Sequence, residues 1–197
     1  MISLTNFSIL VNKQTPLKES YVPENLVDTN SPNIEFILDP SQKILVVNEV
    51  LTAFEKLQIA GKERGFYIEI ESGYRSYTYQ KQIMDNYLST KGDEWVNDYV
   101  ACPGTSEHQT GLAIDLLLVR DGKIVVGMNE NDPEVNWVHK NAYKYGFIVR
   151  YPKNKEHITG YRYEPWHLRY VGKNLASYLK NENITLEEYH LIKIKTK

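Results

Sequence analysis

The run from Leu112 to Val119 constrains this chain more than any other stretch, because it is apolar throughout except for one carboxylate, Asp115. Gly111 precedes it, and the tight-hairpin signal Asp121-Gly122 follows it, ahead of Ile124-Val125-Val126. A short apolar run between turn residues reads as a strand with a returning partner. On such a strand Ala113 and Asp115 share one face, while Leu112, Ile114 and Leu116 share the other. A buried charge there is costly unless it is paired or bound to a metal, and the small Ala113 leaves room beside it.

The rest of the chain supplies helices and further short strands. Pro16, Pro23, Pro32 and Pro40 break up residues 1–40, which read as an irregular arm packed on the domain formed by 41–197. Asp39-Pro40-Ser41 opens a predicted helix with Ile44, Val47, Leu51, Phe54 and Leu57 at spacings of three and four, weakened at Gly61 and ended at Gly65. Tyr67–Glu71 alternates as a half-buried strand, Ser72–Ser76 turns out of it, and a helix follows over 77–90. A short helix lies around Glu94–Tyr99. Beyond the hairpin, Pro133–Tyr145 and Lys173–Asn181 read as helices, with strands at Phe147–Tyr151 and Trp166–Val171. Thr185-Leu186-Glu187-Glu188 is a capping box for a final helix. Helices mixed with hairpin-linked strands make the class α+β, a single domain with a small antiparallel sheet.

Composition narrows the chemistry. The 197 residues carry 23 Lys and Arg against 25 Asp and Glu, a net charge of −2, which argues against a nucleic-acid partner. No apolar run approaches a membrane span, and the first residues lack the charged start and long apolar stretch of a secretory signal. The expectation is a cytoplasmic monomer, or an extracytoplasmic protein cut from a longer precursor. A lone cysteine, Cys102, excludes an intrachain disulfide and a multi-cysteine metal site, and reads by default as a small buried hydrophobe. Any metal must use His with carboxylates.

Three segments place polar groups where a core pattern would not. In Ser106–Asp115, His108 lies in a Gly-flanked loop and Asp115 interrupts the strand. In Glu164-Pro165-Trp166-His167, Pro165 excludes a helix interior, and a bend there brings Glu164 and His167 to one cavity with Trp166 facing the core. His108, Asp115 and His167 make a two-nitrogen, one-oxygen set for zinc with a fourth position open to water. Glu164 then serves as general base, shuttling a proton from water to a leaving amine. Arg75, in Ser72-Gly73-Tyr74-Arg75-Ser76, can grip a terminal carboxylate or an oxyanion. His139, His157 and His190 lack such context and read as structural.

Ser-Gly-Tyr-Arg-Ser, Pro-Gly-Thr-Ser-Glu-His-Gln-Thr-Gly-Leu-Ala-Ile-Asp and Glu-Pro-Trp-His-Leu-Arg-Tyr-Val-Gly closely resemble the VanY-type zinc D-alanyl-D-alanine carboxypeptidases. That family includes peptidoglycan L,D-carboxypeptidases. The likeness runs on through Tyr145–Pro152, Ile158–Gly160 and Thr185–Tyr189, covering roughly residues 10–190. The resemblance implies a hedgehog/D,D-peptidase-like fold with one catalytic Zn2+ in a cleft. It places the zinc ligands on His108, Asp115 and His167, the catalytic glutamate on Glu164 and the substrate arginine on Arg75. Gln80, Ser106, Tyr151 and Tyr161 fall on substrate-binding positions.

The implied activity is release of a C-terminal D-alanine from peptidoglycan peptides or from D-Ala-D-Ala, a chemistry tied to cell-wall trimming and antibiotic resistance. Many relatives carry a signal or anchor that this chain does not show, which likens it to the short VanXY-type enzymes and favours D-Ala-D-Ala. The alternatives are an L,D-carboxypeptidase acting on tetrapeptides, an endopeptidase cutting inside the chain, and a non-catalytic zinc-stabilised module. The module reading expects Glu164 or Arg75 to be lost, and both are present.

Overall fold

Asp115 sits in the central strand of a five-stranded antiparallel sheet in the computed structural model, which describes residues 6–31, 43–125 and 127–195. In chain order the elements are β1 (Leu26–Asp28), β2 (Leu45–Val47), α1 (Asn48–Lys62), β3 (Tyr67–Ser72), α2 (Tyr77–Lys91), α3 (Asp93–Tyr99), β4 (Ala113–Arg120) and β5 (Lys123–Val125). There follow α4 (Pro133–Asn141), β6 (Phe147–Val149), α5 (Glu156–Thr159), β7 (His167–Tyr170), α6 (Lys173–Glu182) and α7 (Leu186–Lys195). The main sheet runs β3-β4-β7-β6, and β5 pairs with the far end of β4. A separate two-stranded sheet joins β1 to β2. This is the α+β architecture that the mixed pattern predicts.

The sheet is buried by α1, whose Val50, Ala53, Phe54 and Leu57 lie at helical spacing on one face. They pack with Ile68, Ile70, Ile114, Leu116, Leu118 and Leu168, and with Val135 and Val138 of α4, as a continuous core. A smaller cluster of Val171, Ala176, Leu179 and Leu186 holds α6 and α7 together. The predicted capping box forms: Thr185 Oγ1 accepts from the Glu188 amide at 3.2 Å, and Glu188 Oε2 accepts from the Thr185 amide at 2.8 Å.

Local readings shift in four places. The helix-opening signal at 39–41 lies outside the described residues. Within the predicted helix, Leu45–Val47 is instead strand β2, and α1 starts at Asn48, because pairing with Leu26–Asp28 outweighs the i, i+3 spacing. That pairing also puts a strand inside the segment read as irregular. The helix predicted over 133–145 divides into α4 and a 3₁₀ turn, Ala142–Tyr145, stopped by Gly146 at φ 95°. Finally, Cys102 is exposed rather than buried.

Strand register aligns the site. Asp115 of β4 faces Ser72 of β3 on one side and His167 of β7 on the other, so three neighbouring strands put these side chains in one row. An irregularity between Ile70 and Ser72 turns the end of β3 toward the row. Gly73 follows, and a Cβ there would collide with the carbonyl oxygen of Leu45, so only glycine lets β2 and this turn approach so closely.

Candidate active site

Where β3 ends and β4 and β7 begin lies a cavity of about 260 Å³ whose lining includes Arg75, Gln80, Ser106, His108, Asp115, Tyr151, Tyr161, Glu164 and His167. All nine residues singled out in the sequence therefore meet in one place. His108 belongs to a 3₁₀ turn, Glu107–Thr110, rather than an irregular loop. Gly111 ends the turn in the left-handed region at φ 67° and feeds the chain into β4. The Glu164–His167 segment bends as Pro165 requires: the His167 amide donates to the Glu164 carbonyl at 3.4 Å, and the Glu164 amide to the Tyr151 carbonyl at 3.2 Å. Trp166 packs on the core, as expected, and also borders the cavity.

His108, Asp115 and His167 are all buried, and one potential ligand atom from each lies within 4.8 Å of the others. Nδ1 of His108 lies 2.6 Å from the Gly73 carbonyl, which can only accept, so this nitrogen carries the proton. Nε2 then points a lone pair at Asp115 Oδ2, 3.2 Å away. Burial first, and the Arg75 charge second, lower the His108 pKa and keep the ring neutral. Two acceptors thus face one another, an arrangement that a cation between them resolves.

His167 tells the same story from the other side. Its Nδ1 is 3.0 Å from Asp115 Oδ1 and 3.6 Å from Glu164 Oε2, and its Nε2 is 3.8 Å from Glu107 Oε2. Burial opposes a charge on this ring, but the carboxylates of Asp115 and Glu107 outweigh it and raise the pKa to about 9. Burial likewise pushes against ionisation of Asp115, and His108 and His167 together hold it well below the usual carboxylate range. The site asks for positive charge, and its two imidazoles and one carboxylate are a donor set suited to zinc.

Glu164 stands at the rim with its side chain 24% exposed. Burial raises its pKa to about 7, with His167 lowering it and Asp115 raising it further. Arg75 Nε donates to Ser72 Oγ at 3.0 Å, and another of its nitrogens donates to Asp115 Oδ2 at 2.7 Å. The arginine expected to hold substrate therefore also braces a metal-ligand candidate. Gln80 positions it, approaching Arg75 at 3.5 Å through Oε1 while Nε2 donates to the Ala101 carbonyl at 2.8 Å. Tyr151 lies between His167 and Tyr161, its ring tilted to both, with centroids 4.9 and 4.8 Å away. The Tyr161 hydroxyl donates to the Thr105 carbonyl at 2.9 Å, and burial pushes its pKa to about 12.

Sequence reasoning passed over Glu107, Arg150 and Arg169, all fully buried behind His167. Burial alone would raise the Glu107 pKa, but the two guanidiniums overcome that and hold it far below the carboxylate range. His139 has a supporting place too, with Nε2 2.9 Å from the Pro165 carbonyl.

Comparison with known proteins identifies the family and its relatives. The family model described as D-alanyl-D-alanine carboxypeptidase, VanY, matches residues 43–173. The Bacillus subtilis protein YodJ is 46% identical over 185 residues, covering 93% of this chain and 67% of the relative. The structure of the LD-carboxypeptidase LdcB is similar at a TM-score of 0.82 and 44% identity, over 94% of this chain and 86% of that one. A zinc complex of the vancomycin-resistance D,D-pentapeptidase VanY is similar at a TM-score of 0.74 and 34% identity, over 92% and 97%. No helix among the described residues is long and apolar enough to cross a membrane.

Proposed function

Because this chain belongs to the VanY family of D-alanyl-D-alanine carboxypeptidases, hydrolases of peptide bonds, we propose that it is a zinc-dependent enzyme releasing C-terminal D-alanine from peptidoglycan peptides or D-Ala-D-Ala. The observation that carries this reading is the convergence of His108, Asp115, His167, Glu164 and Arg75 on one cavity, with one ligand atom from each of His108, Asp115 and His167 within 4.8 Å of the others.

His108, Asp115 and His167 would hold the metal. Zinc, when bound, supplies Lewis acidity that polarises a carbonyl and eases deprotonation of water. Glu164 accepts the proton of the attacking water and passes it to the leaving amine. A carboxyl group raised to about 7 is matched to both halves of that transfer near neutral pH. Arg75 presents a permanent charge to the substrate's terminal carboxylate or to the developing oxyanion, anchored by Ser72 and Gln80. Tyr151, Tyr161 and Ser106 line the cavity walls and limit what enters.

The D-Ala-D-Ala specificity follows the family's description. The likeness to LdcB favours a second reading, in which the bond cut joins an L-configured centre to D-alanine. Both readings use the same base and arginine and differ in the residue before the scissile bond. D-alanine release should be measured side by side from D-Ala-D-Ala, from a pentapeptide ending in D-Ala-D-Ala, and from a tetrapeptide ending in L-Lys-D-Ala. Preference for the tetrapeptide selects the L,D reading. Activity that survives complete chelation overturns the zinc assignment.

A further inference from the structure

Glu107 opens the 3₁₀ turn that carries His108, so the turn that aims His108 into the cavity sends the preceding side chain behind it. There Glu107 is fully enclosed. Its Oε1 accepts from Arg150 Nε at 2.8 Å and from an Arg169 terminal nitrogen at 2.6 Å. Those arginines are themselves fixed. Arg150 makes two hydrogen bonds to the Glu187 carboxylate, at 2.9 and 2.5 Å, and Arg169 donates to the carbonyls of Phe7 and Ile9 at 3.0 and 2.8 Å.

The second oxygen of Glu107 is the informative atom. Oε2 of Glu107 and Nε2 of His167 are both buried, neither has a hydrogen-bond partner among the described residues, and they face each other at 3.8 Å. A carboxylate oxygen accepts, so the complementary state of Nε2 is N–H. That choice leaves Nδ1 of His167 as the lone pair turned to Asp115 and Glu164. Tyr151 packs against the same ring, tilted by 40° with centroids 4.9 Å apart, and limits its rotation.

We infer that Glu107 is a positioning residue for the metal site, locking His167 in the Nε2–H tautomer so that Nδ1 is the ligand atom, with Arg150 and Arg169 fixing the carboxylate. The inference rests on the zinc reading above and deepens it. It separates two roles that burial alone would merge, since Glu107 could equally do no more than neutralise two buried arginines. Removing a hydrogen-bond partner of a metal-ligating histidine lowers metal affinity by roughly 10–100-fold.

Glu107→Gln is the sharp substitution. The two arginines claim its amide oxygen, which leaves the NH2 group facing Nε2, donor to donor. Zinc affinity should be measured by competition with a chromophoric chelator for the wild-type protein, Glu107→Gln and Glu187→Gln. The expected result is a loss of roughly 10–100-fold for Glu107→Gln. Glu187→Gln, which perturbs Arg150 without facing His167, should lower the unfolding midpoint and keep near-wild-type affinity.

Long-range ¹H–¹⁵N correlation on the zinc-loaded wild-type protein provides a readout independent of any variant's folding. It should show Nε2 of His167 protonated and Nδ1 bound to metal. Unchanged affinity in Glu107→Gln, or metal on Nε2, overturns the inference while the zinc reading stands. A wild-type protein that takes up no zinc overturns both.

Discussion

The two sides of the His167 ring are built from the same residue types and behave in opposite ways. On the Nδ1 side are Asp115, Glu164 and Arg75, at a cavity open to substrate. On the Nε2 side are Glu107, Arg150 and Arg169, closed to solvent. Burial raises the pKa of both glutamates. Glu107 has two guanidiniums in contact and is driven far down, whereas at Glu164 the pull of His167 and Arg75 does not overcome burial and the group stands near 7. A carboxylate becomes a proton carrier or a fixed charge according to what surrounds it, and one imidazole divides the two environments.

The largest effect expected from breaking this contrast is on the open side. Glu164→Gln should cut the rate of D-alanine release by about 10²–10⁴-fold with bound zinc unchanged, checked by turnover alongside metal content. On the closed side the loss appears in stability instead. Arg150→Leu leaves the Glu187 carboxylate with the neutral Asn12 amide in place of a guanidinium and Glu107 with one arginine, which should cost about 3–5 kcal/mol in urea unfolding.

The two glutamates should also give stability profiles of opposite slope in chelator-treated protein. Glu107, depressed below its ordinary 4.5, contributes stability that is fully present above about pH 4.5 and is lost as pH falls through its native pKa. Glu164, raised to about 7, favours the folded state most below about pH 4.5 and loses that contribution as pH rises through 7. Glu107→Gln should flatten the acid limb of the unfolding midpoint against pH, and Glu164→Gln the neutral one. A single variant flattening both limbs would show that the two sides are one coupled unit. The smallest change is at the cap of α7, which carries Glu187: Thr185→Ala should cost about 1 kcal/mol by thermal or urea unfolding, with turnover close to wild type.

The open side was legible in the sequence and the closed side was not, for a physical reason. Asp115 stood out because it broke an apolar strand, and Glu164 because Pro165 bent the chain beside His167. Glu107 lies between Ser106 and His108 in a turn, and Arg150 and Arg169 stand at or within short strands with a tyrosine next in sequence, where a charge looks solvated. Only the fold shows them enclosed. Their chemistry was within reach through adjacency, since Glu107 directly precedes His108. The start of α1 was misread for a related reason: Leu45–Val47 suits either a helix face or a strand, and its distant partner β1 decides. The capping box, the hairpin and the helix after β3 depend on neighbours in sequence and came through intact.

The row of Ser72, Asp115 and His167 across three strands makes this site intolerant of changes in chain length. A single residue inserted into β4 ahead of Asp115 would reverse the faces of everything beyond it and turn the carboxylate away from both histidines. The same insertion at Asp121-Gly122, where both residues are exposed at positive φ, falls beyond the aligned row and leaves it untouched. Across variants of this sequence, length should therefore change freely at the hairpin tip and hardly at all between Gly111 and Asp115.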